Sequence, residues 1–220
     1  MTENRPILFV INRHALSQWT MYFKEEYHLT GVDVIDFRAL RATDNKSLER
    51  YSLIIVCIEK YTDFLIYKLC KDREQNIPLI HLLDINKKLF RRRIPYNKIL
   101  YKTGSLKESV AGLLNVVKSD NAVSLDYKDV LYLAGESELL CLCLEGNKEK
   151  LLSYIADSRK TLGTLSCCLV NIVGDISLID VNEIVSSLQN NSDSSLIFGC
   201  GYEEIETIKV FTLWKLTKEV

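Results

Sequence analysis

The sequence predicts an α/β protein built in two parts with one long helix between them. Three observations point to it. Through residues 1–103, short continuous apolar runs alternate with amphipathic stretches, the pattern of a parallel sheet covered on both faces. Residues 104–119 then read as a single amphipathic helix. From residue 120 onward the strands lengthen and the charge changes sign. Residues 1–119 carry 20 Lys/Arg against 13 Asp/Glu, a net +7, and residues 120–220 carry 8 against 16, a net −8. The expected segments are therefore 1–103, 104–119 and 120–220, with no repeat or Pro/Gly-rich linker between them.

The elements follow in order. ILFVI at residues 7–11 is an apolar run typical of a strand buried on both faces. A helix is expected around residues 16–26 and a strand at 32–37. SLIIVCI at 52–58 is the strongest strand. Residues 61–71 read as a helix with Leu65, Ile66, Leu69 and Cys70 on one face. Strands at 77–83 and 98–102 close the first part. Ser105 and Glu108 form an S-x-x-E capping box, and Leu106, Val110, Leu113, Leu114 and Val117 make the apolar stripe of the helix they start. Beyond it, strands are expected at 139–144, 167–173, 195–198 and 206–216. Helices are expected at 148–160 and after Ser177, the latter with Val181, Ile184, Val185 and Leu188 as its stripe. The last strand alternates Ile208, Val210, Thr212 and Trp214 against Lys209, Phe211, Leu213 and Lys215. Helices and longer strands mixed in this way suggest an α/β sandwich with one side of its sheet covered.

Composition narrows the function classes. With 47% hydrophobic and 26% charged residues, the chain has the balance of a globular protein. No apolar stretch approaches the roughly 18 residues that would suggest a bilayer span. The start MTENRPILFVIN lacks the basic flank and long apolar run of a signal peptide, so a cytoplasmic location is expected. The seven cysteines are odd in number, mostly inside apolar runs, and form no CxxC pair, so they read as small buried hydrophobes rather than disulfides or zinc ligands. His14, His28 and His81 have no metal-like spacing. Lys87, Lys88 and Arg91 to Arg93 make a basic patch, but no aromatic interleaving or nucleic-acid motif accompanies it, and a solvated loop is expected. No GxGxxG, GxxxxGK[ST] or G-x-S-x-G occurs, so no cofactor is expected.

Several blocks, in the right order, carry a family resemblance across residues 105–217. SVAGLLNVV resembles the end of a core helix, SLDYKDV an NxDFxDV-like loop, and LVNIVGDISLIDVNEIVSSL a strand, glycine turn and helix. SLIFGCGYEE with the later IKVFTLW resembles a closing hairpin. Together they resemble the tubulin/FtsZ family, in particular FtsZ, the bacterial tubulin homologue of cell division. The first half aligns more thinly: RPILFVINRHAL and SLIIVCIEKYTD stand where the family has strands followed by glycine-rich turns. The resemblance implies a shortened Rossmann-like GTPase-like subdomain, a central helix and an FtsZ C-terminal-like α/β sandwich.

Phosphate cradles use glycine because backbone N–H groups must approach closely, often at positive φ. Here the first glycine is Gly31 and the next Gly104, and the turns at 12–15 and 59–63 contain none. The family's GGGTGTG is missing, so binding of GTP in the family manner is not expected. What the resemblance retains is the loop Ser124, Asp126, Tyr127 and Asp129. In the family this loop reaches the nucleotide of the next filament subunit, where its acids position the attacking water. Ser124 replaces the family's asparagine. The residues themselves also allow a plainer reading, with Asp126 as N-cap of a helix over 127–133 and Asp129 favouring its positive end.

The resemblance thus implies a non-enzymatic filament regulator that docks on an FtsZ- or tubulin-like partner through its acidic loop. Two alternatives stand beside it. One is nucleotide-independent self-assembly aided by the charge asymmetry. The other is a pseudo-receiver module, with Lys102 near the last strand of the first part but Asn12, Arg13 and Glu59 where receivers need aspartates.

Overall fold

The structure is a computed structural model that describes residues 6–26, 31–58, 79–84, 99–102, 104–118, 123, 125–136, 138–162, 165–189 and 196–216. The expected helix at 61–71, the turn at 59–63, the basic patch Lys87 to Arg93 and Ser124 lie outside the described residues. The chain divides into two compact units, Met1–Leu100 and Tyr101–Val220.

The first unit contains β1 (Ile7–Ile11), β2 (Val32–Asp36), β3 (Leu53–Ile58) and β4 (Leu79–Asp84), and the boundary falls within β5 (Ile99–Lys102). The spatial order is β2-β1-β3-β4-β5. The pairings β1–β2, β1–β3 and β3–β4 are parallel, with Phe9 opposite Val34 and Ile55. Every residue of β1 is buried, as its continuous apolar run requires. A Rossmann order of 3-2-1-4-5-6 that loses its outermost strand becomes 2-1-3-4-5 on renumbering, which is also the flavodoxin-like order. Strand order alone therefore does not separate a shortened GTPase-type sheet from a receiver.

After β1 the chain forms a 3-10 turn (Arg13–Ala15), α1 (Leu16–Met21) and a π-turn (Tyr22–Glu26), where a single helix was expected. Trp19, Tyr22 and Phe23 remain on one face by their i, i+3, i+4 spacing, and Phe9 stacks within 4.8 Å of Trp19 and 5.1 Å of Phe23. Two short helices not foreseen, α2 (Phe37–Ala42) and α3 (Asn45–Leu48), follow β2. Their signal is in the aspartates: Ala39 N donates to Asp36 Oδ1 and Ser47 N to Asp44 Oδ1. Phe37, Leu40 and Leu48 bury their undersides.

The second unit holds α4 (Leu106–Lys118), α5 (Tyr127–Glu136), β6 (Leu139–Gly146), α6 (Lys148–Leu162), β7 (Ser166–Val173), α7 (Leu178–Leu188), β8 (Ile197–Gly201) and β9 (Ile208–Lys215). Its strands run in the order β6-β9-β7-β8. β9 is antiparallel to both β6 and β7, and β7 is parallel to β8 across the α7 crossover. The capping box forms as read: Glu108 N donates to Ser105 Oγ at 3.1 Å and Ser105 N to Glu108 Oε2 at 3.2 Å. Val116 joins Val110, Leu113 and Leu114 in the buried stripe of α4.

One expectation changes. A sheet with one covered side was expected from the mix of helices and longer strands in the second half, yet residues 210–214 are all buried, as are 167–173 of β7. These are the inner strands, and α4 lies close on the face that carries Cys143 and Phe211. A Cβ at Gly112 would stand 2.3 Å from Phe211 Cδ2 and 3.1 Å from Cys143 Sγ, so only glycine admits that approach. Helices α6 and α7 are linked by Lys148 Nζ, which donates to Asp180 Oδ1 at 2.8 Å and Glu183 Oε2 at 3.2 Å. The lysine, together with Ser177, holds the Asp180 carboxyl below the usual carboxylate range.

Among the described residues there is no disulfide. Burial pushes the Cys168 thiol up to about 12, and the Cys143 and Cys167 thiols are also raised, mainly by desolvation. These side chains behave as small hydrophobes rather than nucleophiles. No helix among the described residues is long and apolar enough to cross a membrane.

Candidate functional site

The acidic loop is anchored before it is acidic. Val123 exchanges both backbone hydrogen bonds with Cys200 of β8, at 3.2 and 3.1 Å, as an antiparallel bridge. Two residues on, Leu125 is buried beneath Gly199, where an added Cβ would stand 2.7 Å from Leu125 Cγ. Glycine inside β8 is therefore a requirement of close packing, the usual meaning of glycine in a strand interior. Because the bridge is antiparallel, the chain leaves toward the amino end of β8 and there starts α5. Val130, Leu133 and Ala134 bury that helix's inner face at i, i+3, i+4 spacing.

The two aspartates then cap α5 reciprocally. Asp126 Oδ1 accepts from Lys128 N at 2.6 Å and from Asp129 N at 3.2 Å. Asp129 Oδ2 accepts from Asp126 N at 2.9 Å. This is a capping box with aspartate at its third helical position, and both negative groups sit at the positive end of the helix. Each carboxylate commits one oxygen. Asp126 Oδ2 and Asp129 Oδ1 have no hydrogen-bond partner among the described residues. Asp126 is exposed, while Tyr127 and Asp129 are half-buried. The cap thus fixes the rotamers of both carboxylates while leaving one oxygen of each uncommitted among the described residues. A fixed oxygen of this kind can accept a hydrogen bond from a water or hydroxyl brought by another molecule.

The β1–α1 turn is the other place where chemistry was sought. Asn12 adopts an extended conformation (φ −63°, ψ 139°) and caps the 3-10 turn. His14 N points to Asn12 Oδ1 at 3.4 Å, and Ala15 N donates to Asn12 O at 2.9 Å. Arg13 and His14 are exposed. Lys102, the lysine of the receiver alternative, donates to Gly104 O at 3.1 Å. Among the described residues no group of three or more His, Cys, Asp or Glu is arranged to hold a metal ion.

Sequence reasoning singled out the aspartates and missed their support. Val123, Leu125 and Gly199 do the positioning, and the one signal available was a glycine inside the apolar run LIFGC.

No family model and no curated protein matches the sequence. Solved structures do. A mutant FtsZ of M. jannaschii aligns over 98% of this chain and 92% of its own, with a TM-score of 0.65 at 11% identity. CetZ from Methanosaeta thermophila aligns over 97% and 87%, with a TM-score of 0.61 at 12% identity. TubZ of Bacillus thuringiensis serovar israelensis, solved as GDP-form protofilaments, aligns over 96% and 85%, with a TM-score of 0.57 at 10% identity. At such identities the likeness is one of fold. The chain has the tubulin/FtsZ-like fold, and the resemblance read in its second half extends to nearly its whole length.

Proposed function

We propose that this tubulin/FtsZ-fold protein does not bind GTP in the manner of that fold and instead caps or regulates a filament of like subunits through its acidic loop. The observation that carries the reading is the pair of carboxylate oxygens on Asp126 and Asp129 left uncommitted among the described residues, on side chains held by a reciprocal cap in a loop anchored by Leu125. The β1–α1 turn supports it from the other side. A phosphate cradle presents unengaged N–H groups, and here His14 N and Ala15 N both turn inward to Asn12. A molecule that keeps one longitudinal face and lacks the other associates on one side only. It would end a filament rather than extend it. The fold supports a filament partner, since the TubZ that this chain resembles was solved as protofilaments. A cytoplasmic, non-enzymatic role in a cytoskeletal process such as cell division fits this reading. If the carboxylates reach a partner's nucleotide, they also stimulate its hydrolysis in trans by orienting water.

The test mixes the protein with an assembling FtsZ at equimolar ratio and follows polymer by light scattering and phosphate release. A change in either is expected, and it should vanish in Asp126→Ala/Asp129→Ala. No change in either sinks the reading. Calorimetry with GTP is the companion measurement: binding at about micromolar Kd would overturn the loss of the nucleotide site.

A further inference from the structure

The sheet of the first unit ends on an edge that no described strand covers. β2 is its outer strand and, among the described residues, pairs only with β1. Its five residues keep step with β1 throughout, without a bulge, and include neither proline nor lysine. Bulges, prolines and lysines are the usual devices that blunt an edge, and β2 has none of them. Val32, Val34 and Ile35 are half-buried, where every residue of β1 is buried. Helix α2 folds back against β1 and β2 rather than along the outer edge. The outer strand of the second unit differs, since Val123 bridges to Cys200 of β8.

The two acids of β2 are occupied by their own chain. Asp33 Oδ2 accepts from Tyr51 Oη at 2.7 Å and lies 3.5 Å from Arg50 Nη2. Asp36 Oδ1 accepts from Ala39 N at 2.8 Å. What the edge offers a partner is therefore main chain, and its phase can be read. Ile7 N donates to Gly31 O at 2.8 Å, with Ile7 opposite Val32. In a parallel ladder that phase turns the backbone groups of Asp33 and Ile35 toward β1 and those of Val32 and Val34 outward. A two-fold axis brings such an edge antiparallel against its own copy. Centred on Val34, all five residues overlap: Val34 meets Val34, Val32 meets Asp36, and Asp33 meets Ile35. Centred on Asp33 or Asp36, the axis would set aspartate against aspartate, which is unfavourable. Centred on Val32 or Ile35, it would shorten the overlap.

We infer that β2 pairs with β2 of a second copy of this chain, antiparallel across a two-fold axis at Val34. The contact consumes the edge it uses, so association stops at the dimer. It rests on main chain of the first unit and not on the acidic loop, so either reading stands without the other. Sedimentation velocity on the full chain tests it, at protein concentrations up to about 200 μM. The expected result is a monomer–dimer equilibrium whose Kd changes less than about threefold between about 50 and about 500 mM salt, because main-chain hydrogen bonds carry it. Amide exchange followed by NMR on the same protein should slow severalfold at Val34 as the dimer forms, while Asp33 and Ile35, already bonded to β1, change little. Val34→Pro removes the outward N–H on the axis and leaves the β1 ladder intact. It should weaken association by about tenfold or more, as should Val34→Lys, which sets two charges against each other on the axis. Circular dichroism confirms that each variant folds. A chain that stays monomeric overturns the inference, as does a dimer that folded Val34→Pro or Val34→Lys leaves unchanged. Val34 exchange that ignores concentration, growth beyond the dimer, or association that salt dissolves would each overturn it too.

Discussion

The β1–α1 turn and the acidic loop are two versions of the same device, a side chain capping the start of a helix. In the first, neutral Asn12 caps a 3-10 turn of three residues through a long contact of 3.4 Å. In the second, charged Asp126 caps the ten-residue helix α5, and Asp129 closes the cap from the other side. N–H groups at a helix start can hold an external anion or an internal one. Both turns here satisfy donors from within the chain. Only the second leaves carboxylate oxygens without a hydrogen-bond partner among the described residues. The difference teaches that two caps of similar design differ in what they leave over: the acidic one retains a carboxylate oxygen on each aspartate, which the proposed docking would use.

The strongest way to break that comparison is at the anchor. Leu125→Ala should cost about 3 kcal/mol by the usual range for emptying a buried leucine site, read from urea unfolding, and should abolish any effect on an assembling partner. A loss below about 1 kcal/mol would mean that the loop is held by something other than the Leu125–Gly199 packing. The caps come next. Asp126→Ala should cost about 1 kcal/mol, and Asn12→Ala no more than about half of that, because its contact is long and its turn short. Equal losses would erase the distinction between the two turns.

The smallest effect concerns pH and a third cap in the second unit. Lys148 and Ser177 lower the Asp180 carboxyl, so its folded form binds a proton less readily than the unfolded chain does. The stabilisation is therefore full above about pH 5 and is lost as pH falls from the ordinary carboxylate value, about 3.9, through the lowered one. Carboxyl NMR titration should show Asp180 titrating below its ordinary value and returning toward it in Lys148→Ala. An Asp180 that titrates at its ordinary value in the unaltered protein would show that the lysine contact is not maintained in solution.

Much of the fold was legible. The continuous runs ILFVI and SLIIVCI became parallel strands, and the caps at Ser105, Asp126 and Ser177 formed as read. Such features are local, since a cap joins a side chain to a backbone group two or three residues away. The helices α2 and α3 were overlooked because each is barely a turn or two, too short for periodicity to show, although Asp36 and Asp44 marked their starts. The site was half legible. Asp126 and Asp129 stood out by spacing, but the sequence left open whether they cap a helix or face a partner; the structure shows the cap, and the partner-facing role is our proposal.

The sequence by itself determined the α/β class, the sign of charge in each half, the helix starts and the absence of glycine from the turns at 12–15 and 59–63. Tertiary structure alone decided that Leu125 lies beneath Gly199, that both faces of β7 and β9 are covered, and that Leu178 and Ile179 are left in solvent. The physical reason is range. Periodicity and capping are set by neighbours along the chain, whereas burial depends on which distant segment arrives to cover a surface. An apolar residue looks the same in sequence whether something covers it or not.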